Sequence, residues 1–155
     1  MNNTPQVKAP WLKSKDPEVP ATLTYSELSM CSRVEEMVRR YPDYIAYEFM
    51  GKCTTYAEMW KKINACAKSL KAIGIREGDK VTICMPNAPQ TLCMFYAVNM
   101  VGAIANMVHP LSAESEIAFY LRDSGSVAAI TLDQFYNKFE SVRKAVDLPC
   151  LIITS

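Results

Sequence analysis

The sequence predicts an α/β fold: a mainly parallel sheet with flanking helices, preceded by an N-terminal extended arm and a β-hairpin. Two observations carry this. Short apolar segments begin at Val81 (VTICMP), Ile104 (IANMVH), Val127 (VAAITL) and Cys150 (CLIITS), each 23 residues after the one before. A strand, a helix of about three turns and two short loops fill that length. Between the apolar segments, Gln90 to Val101, Ser112 to Asp123 and Gln134 to Val146 carry helical patterning, with Phe135, Phe139, Val142 and Val146 on one stripe. Strands alternating with helices imply parallel neighbours joined by right-handed crossovers. No self-similarity accompanies the period, so the frame is architectural and not a repeat.

Ahead of that frame, residues 1–23 form the expected extended arm, with Pro5, Pro10, Pro17 and Pro20 against helix and central strand alike. Trp11 and Leu12 are its large apolar groups and are expected to pin it to the body. Residues 24–155 are expected to form an incomplete N-terminal α/β domain. Thr24-Tyr25-Ser26-Glu27 reads as a capping box that opens a helix closed by Pro42. Tyr44 to Phe49 and Lys52 to Thr54 flank Met50-Gly51 as a hairpin. Thr55-Tyr56-Ala57-Glu58 is a second capping box, and it starts an amphipathic helix with Tyr56, Met59, Trp60, Ile63, Ala67 and Leu70 on one face. The Gln90–Val101 segment is apolar nearly all round, which predicts a helix buried between layers.

The 155 residues suffice for one domain with a hydrophobic core. With 17 basic against 16 acidic residues, the net charge of +1 gives no case for nucleic acid as a partner. No apolar run is long enough to span a bilayer, and the N-terminus has no signal-like apolar region, so a cytoplasmic location is expected. The six cysteines, at 31, 53, 66, 84, 93 and 150, have no metal-ligand spacing, and a single histidine accompanies them. Free thiols and no metal site are the expectation.

Four blocks in order resemble a known family. PWLKSKDPEVPATLTYSEL is similar to the opening of bacterial long-chain fatty acid–CoA ligases. YPDYIAYEFMGKCTTYAEM carries Ala46, Gly51, Thr55, Tyr56 and Glu58 of the family's first block, with Met59 where Leu is usual. LKAIGIREGDKVTICMPNAPQ matches the next at Leu70, Gly74, Gly78, Asp79, Val81, Pro86 and Asn87. MVGAIANMVHPLSAESEIAFYLRDSGSVAAIT matches the last at Gly102, Ala103, Pro110, Leu111, Glu116, Ile117, Asp123, Ser124 and Gly125, with His109 where Asn is commoner. The resemblance is to acyl-adenylate-forming enzymes of the AMP-binding superfamily. It implies a partial N-terminal domain of the acyl-CoA synthetase fold. The implied enzyme takes a fatty acid, ATP, magnesium and coenzyme A, forming an acyl-adenylate before acyl transfer to the thiol.

The family's phosphate loop, a Ser/Thr/Gly cluster followed by Lys, has no counterpart among the five glycines here, so no catalytic residue is assigned and the chain alone is expected to be inactive. The candidate binding residues are His109, Pro110, Leu111 and Ser112, in a loop after a strand and before a helix with Ser112 as its N-cap. Ligands of parallel sheets bind beyond the strands' carboxyl ends. The resemblance places this loop near the coenzyme A path; the alternative is that it only shapes a turn. Lys138 and Arg143 are weighed as phosphate contacts against plain exposed charges. The chain stops on a strand with no helix after it, which leads to the expectation of a truncated domain whose bare apolar face favours self-association. Two other functions stay open: adenylation of an aryl or amino acid, and a non-catalytic α/β binding module.

Overall fold

The computed structural model describes residues 9–155. Pro5 and the rest of the arm's first eight residues lie outside the described residues. Pro10–Ser14 is a short 3-10 helix with proline in its first turn, not extended chain. Trp11 is 65% exposed and Leu12 40%, so neither pins the arm to the body.

The expected capping box at Thr24 does not form. Ser26 Oγ accepts the Leu28 N–H at 3.1 Å in a local turn, a bond that competes with helix. Helix α1 (Met30–Arg40) starts instead behind Ser29, whose hydroxyl accepts the Ser32 N–H at 3.1 Å. Strands β1 (Ile45–Phe49) and β2 (Lys52–Thr55) pair antiparallel around Met50 and Gly51. Both turn residues have positive φ, 50° and 77°, the conformation of a two-residue hairpin turn. Thr55 and Glu58 close the predicted capping box at the head of α2 (Tyr56–Ala72), with Met59, Ile63, Ala67 and Leu70 buried.

The 23-residue frame gives strands β3 (Lys80–Cys84), β4 (Ile104–Met107), β5 (Ala128–Leu132) and β6 (Cys150–Thr154). All their pairings are parallel and the order is β4-β3-β5-β6. The connections are α3 (Pro89–Val101), α4 (Glu114–Ser124) and α5 (Tyr136–Ala145), the last preceded by a 3-10 turn at Asp133–Phe135. Because side chains alternate along a strand, Val81, Ile83, Ala128 and Ile130 face α3 and α2. Cys84 and Ala129 face α4 and α5 with Ile117, Leu121, Phe139 and Val142. Helix α3 touches β3 and β4 on one side and α1 and α2 on the other. None of its residues is exposed, which explains its all-round apolar sequence.

At the helix ends, Gly102 (φ 84°) caps α3 in the left-handed conformation, and a Cβ there would meet Glu77 Cγ at 3.0 Å. Helix α4 departs from expectation at its start. Its N-cap is Ala113, not Ser112, and only the Glu116 half of a capping box forms, with Glu116 Oε2 accepting the Ala113 N–H at 3.0 Å. No described helix is long and apolar enough to cross a membrane.

Candidate functional site

A parallel sheet sends all its strand ends one way, so the segments after β3, β4 and β5 gather at one edge. β3 connects outward to β4, and the chain then returns past β3 to β5. The reversal opens a crevice at the carboxyl ends, where α/β sheets bind ligands. Its volume is about 530 Å³, and its walls are Met85, Pro86 and Asn87 after β3, Met107 to Leu111 after β4, and Gln134 and Phe135 after β5.

Three of the four predicted site residues line it. His109 and Leu111 are exposed and Pro110 is buried, while Ser112 is half-buried behind them. The loop is a tight turn: His109 O accepts the Ser112 N–H at 3.1 Å, and His109 Nδ1 accepts the Leu111 N–H at 3.2 Å. That bond assigns the neutral ring's proton to Nε2. At the base of the loop the Val108 N–H donates to Ile83 O at 3.1 Å, tying it to β3, and beside it Thr131 Oγ1 donates to Cys84 O at 2.9 Å, joining β5 to β3.

Lys138 is neither a solvated charge nor free for a phosphate. Its ammonium is half-buried and donates to Pro110 O and Ser112 O, both at 3.0 Å, and lies 5.8 Å from the centre of the Phe135 ring. Hydrogen bonds from a charged donor contribute about 1.5–3 kcal/mol each. The signal was present in the sequence: position 138 stands three residues after Phe135 and four before Val142, on the stripe itself. Arg143, the other basic residue considered on α5, is exposed. The neutral groups Asn87 and Gln134 also escaped attention as wall residues, since only the sheet brings them together.

Below the crevice, the Asp-Ser-Gly turn does more than supply a left-handed cap at Gly125. Ser124 Oγ and Ser126 Oγ lie 2.8 Å apart, Ser126 Oγ and Thr82 Oγ1 2.7 Å apart, and Asn106 Nδ2 donates to Thr82 Oγ1 at 3.0 Å and to Ser124 Oγ at 3.2 Å. This network, buried at Thr82 and Ser126 and half-buried at Asn106 and Ser124, joins β3, β4 and α4. Its hydroxyls are all hydrogen-bonded, which makes it a structural element.

A second cavity, about 400 Å³, opens between the hairpin, α2 and α3, with Phe49, Cys93 and Met94 as apolar wall and Lys52 and Lys62 as cations. Glu58 lies near both lysines. Its carboxyl is held below the usual range chiefly by the Thr55 N–H, with Lys62 and Lys52 adding to the effect. Burial pushes the Cys84 thiol up to about 11 and raises Cys31, Cys66 and Cys93 as well. Raised thiols are poor nucleophiles and poor metal ligands. Among the described residues no group of three or more His, Cys, Asp or Glu side chains is placed to hold a metal ion. The crevice offers shape, two carboxamides and an imidazole donor, which suits binding rather than bond-making.

The sequence pattern of the AMP-binding enzyme family matches residues 34–154. A long-chain-fatty-acid–CoA ligase of Bacillus subtilis (strain 168) is 30% identical over 150 residues, covering 97% of this chain and 27% of its own length. The N-terminal domain of FACL13 from Mycobacterium tuberculosis superposes with a TM-score of 0.75 at 29% identity, covering 80% of this chain and 33% of that one. A long-chain-fatty-acid–CoA ligase (FadD1) from Archaeoglobus fulgidus shares the fold, with a TM-score of 0.79 at 18% identity over 86% of this chain and 28% of that one. The chain thus spans about a quarter of the length of the curated relatives it matches. Its parallel frame, hairpin and turn motifs are those of a known enzyme class: the chain belongs to the AMP-binding enzyme family.

Proposed function

We propose that this chain is the N-terminal portion of a long-chain fatty acid–CoA ligase, with residues 24–155 contributing part of its α/β domain behind the arm at 1–23. The observation that carries the reading is the 30% identity to a long-chain ligase over 97% of the chain, a span that includes arm residues. In the reaction so inferred, a carboxylate oxygen attacks the α-phosphorus of ATP and pyrophosphate leaves. The thiol sulfur of coenzyme A then attacks the acyl carbon, the bond to AMP breaks, and the thiol proton passes to a base. Activation is needed because a carboxylate is a poor electrophile, and AMP gives it a leaving group.

For the residues in hand we assign the crevice at His109, Pro110, Leu111 and Ser112 to the coenzyme A path. The pantetheine arm alternates short apolar links with two amides. Walls of Met85, Met107 and Phe135 with the carboxamides of Asn87 and Gln134 match that chemistry. The exposed Nε2–H of His109 adds a donor at the rim. No residue here is given a catalytic role.

The test is the reading frame after codon 155 and the protein it encodes. A Ser/Thr/Gly-rich loop followed by Lys, with ATP–pyrophosphate exchange that depends on a long-chain fatty acid, is the expected result. Exchange driven instead by an aryl or amino acid, or a stop codon, would overturn it. The 155-residue chain alone should show no exchange above a boiled control.

A further inference from the structure

We propose that Lys138 is the positioning residue of the crevice: its ammonium staples the loop after β4 to helix α5 and so fixes the ring of His109. Both bonds reach far along the chain, to Pro110 O and Ser112 O at 3.0 Å each. Lysine carries three N–H donors and no acceptor, and two of them are committed to this one loop. A lysine on an exposed helix face would extend its head into water. Here it is half-buried against the Phe135 ring and makes no ion pair among the described residues, so carbonyl oxygens take the place of a counter-charge.

Val108, buried and bonded through its N–H to Ile83 O at 3.1 Å, anchors the base of the loop, and Pro110 is buried; the tip beyond them has little else to hold it. Leu111 is 73% exposed and anchors nothing by packing. The turn's own bonds, Ser112 N–H to His109 O and Leu111 N–H to His109 Nδ1, are both local. Local bonds shape a turn but do not aim it at the neighbouring strand ends. The two ammonium bonds do, because α5 is fixed on the sheet through Phe139 and Val142, both fully buried. The Nδ1 bond also sets the tautomer of His109, so releasing the loop frees both the ring's direction and its donor pattern. The functional importance of that loop rests on the coenzyme A reading above; the staple itself does not.

The experiment uses the 155-residue chain with no ligand present. Lys138→Met keeps the apolar stem and removes every donor, and Lys138→Arg restores a planar set of donors. In Lys138→Met, amide hydrogen exchange at Leu111 and Ser112 should quicken about tenfold while β3 and β5 keep their protection. The ring nitrogens of His109 should shift from one tautomer toward a mixture, and Lys138→Arg should return both readouts toward wild type. Should Lys138→Met fail to fold, Lys138→Gln, which keeps a neutral donor, is read the same way. Unchanged loop exchange and an unchanged His109 tautomer in a folded variant would overturn the proposal. So would loosening spread evenly through the sheet. Failure here leaves the coenzyme A assignment standing, and absence of coenzyme A binding leaves the staple standing.

Discussion

On the α3 side of the sheet, the strand positions Val81, Ile83, Ala128 and Ile130 are all apolar and meet Ala97, Val98 and Val101. On the α4–α5 side, the alternate positions of the same strands are Thr82, Cys84, Ala129 and Thr131, and two hydroxyls there are bonded to Ser126 Oγ and Cys84 O. The first face is closed by a helix itself covered by α1 and α2, so it needs only close-packed hydrocarbon. The second lies under α4 and α5, and its bonds tie the end of α4 to β3 and β5 to β3. Uniform apolar packing stabilises without specifying direction; partnered polar groups specify it.

Substitutions can break or sharpen that contrast. Truncating Phe139, fully buried on the α5 side, should cost about 3–5 kcal/mol in chemical denaturation, the range for aromatic deletions that leave a cavity. A loss under one kcal/mol would mean that α5 is not fixed on the sheet. Cys84 gives a pH test of the same face. Its thiol is raised from 9.0 to about 11 by burial, so an unfolded chain ionises it first as pH climbs. Stability should be intact below pH 9 and fall by about 2–3 kcal/mol as pH rises through 11. In Cys84→Ala this part of the fall should vanish, and an identical pH profile would refute it.

Thr82→Val keeps the shape of a fully buried side chain but strips Ser126 and Asn106 of a partner. It should destabilise by about 1–2 kcal/mol, whereas no measurable change would show that the network carries no net stability. The smallest effect belongs to the other side. Thr55→Ala removes the hydroxyl that caps α2, the helix over α3, and should lower stability by about 0.5–2 kcal/mol. Thiol labelling in the native state should follow exposure, with Cys53 reacting first and Cys84 last. All six should react once the chain is unfolded without reductant.

What could be read from the sequence follows from how local each signal is. The partly exposed edge strands β4 and β6 were placed by the 23-residue frame, while the central strands β3 and β5 were legible because strands buried on both faces write themselves as contiguous apolar runs. Helix α3 was legible for the same reason in helical form. Helix starts were less so, because Thr24, Ser26 and Ser29 offer rival hydroxyls within a short stretch, and Ser112 sits one residue from the cap Ala113, whose N–H is accepted by Glu116. The arm carries no periodicity at all, so nothing in its sequence could show that Trp11 stays in solvent. The candidate loop was placed at a strand end correctly, but its partners Asn87 and Gln134 lie 22 residues before and 25 after His109. Only the sheet order brings these three together.

The assignment of the carboxyl-end crevice to coenzyme A is tested most directly by titrating the isotope-labelled chain with coenzyme A and following its backbone amide shifts. The account predicts shifts that saturate together at Asn87, His109, Leu111, Ser112, Gln134 and Phe135, with the hairpin at Phe49 and Lys52 unmoved. Shifts confined to the cavity between the hairpin and α3, or none at millimolar coenzyme A, would contradict it.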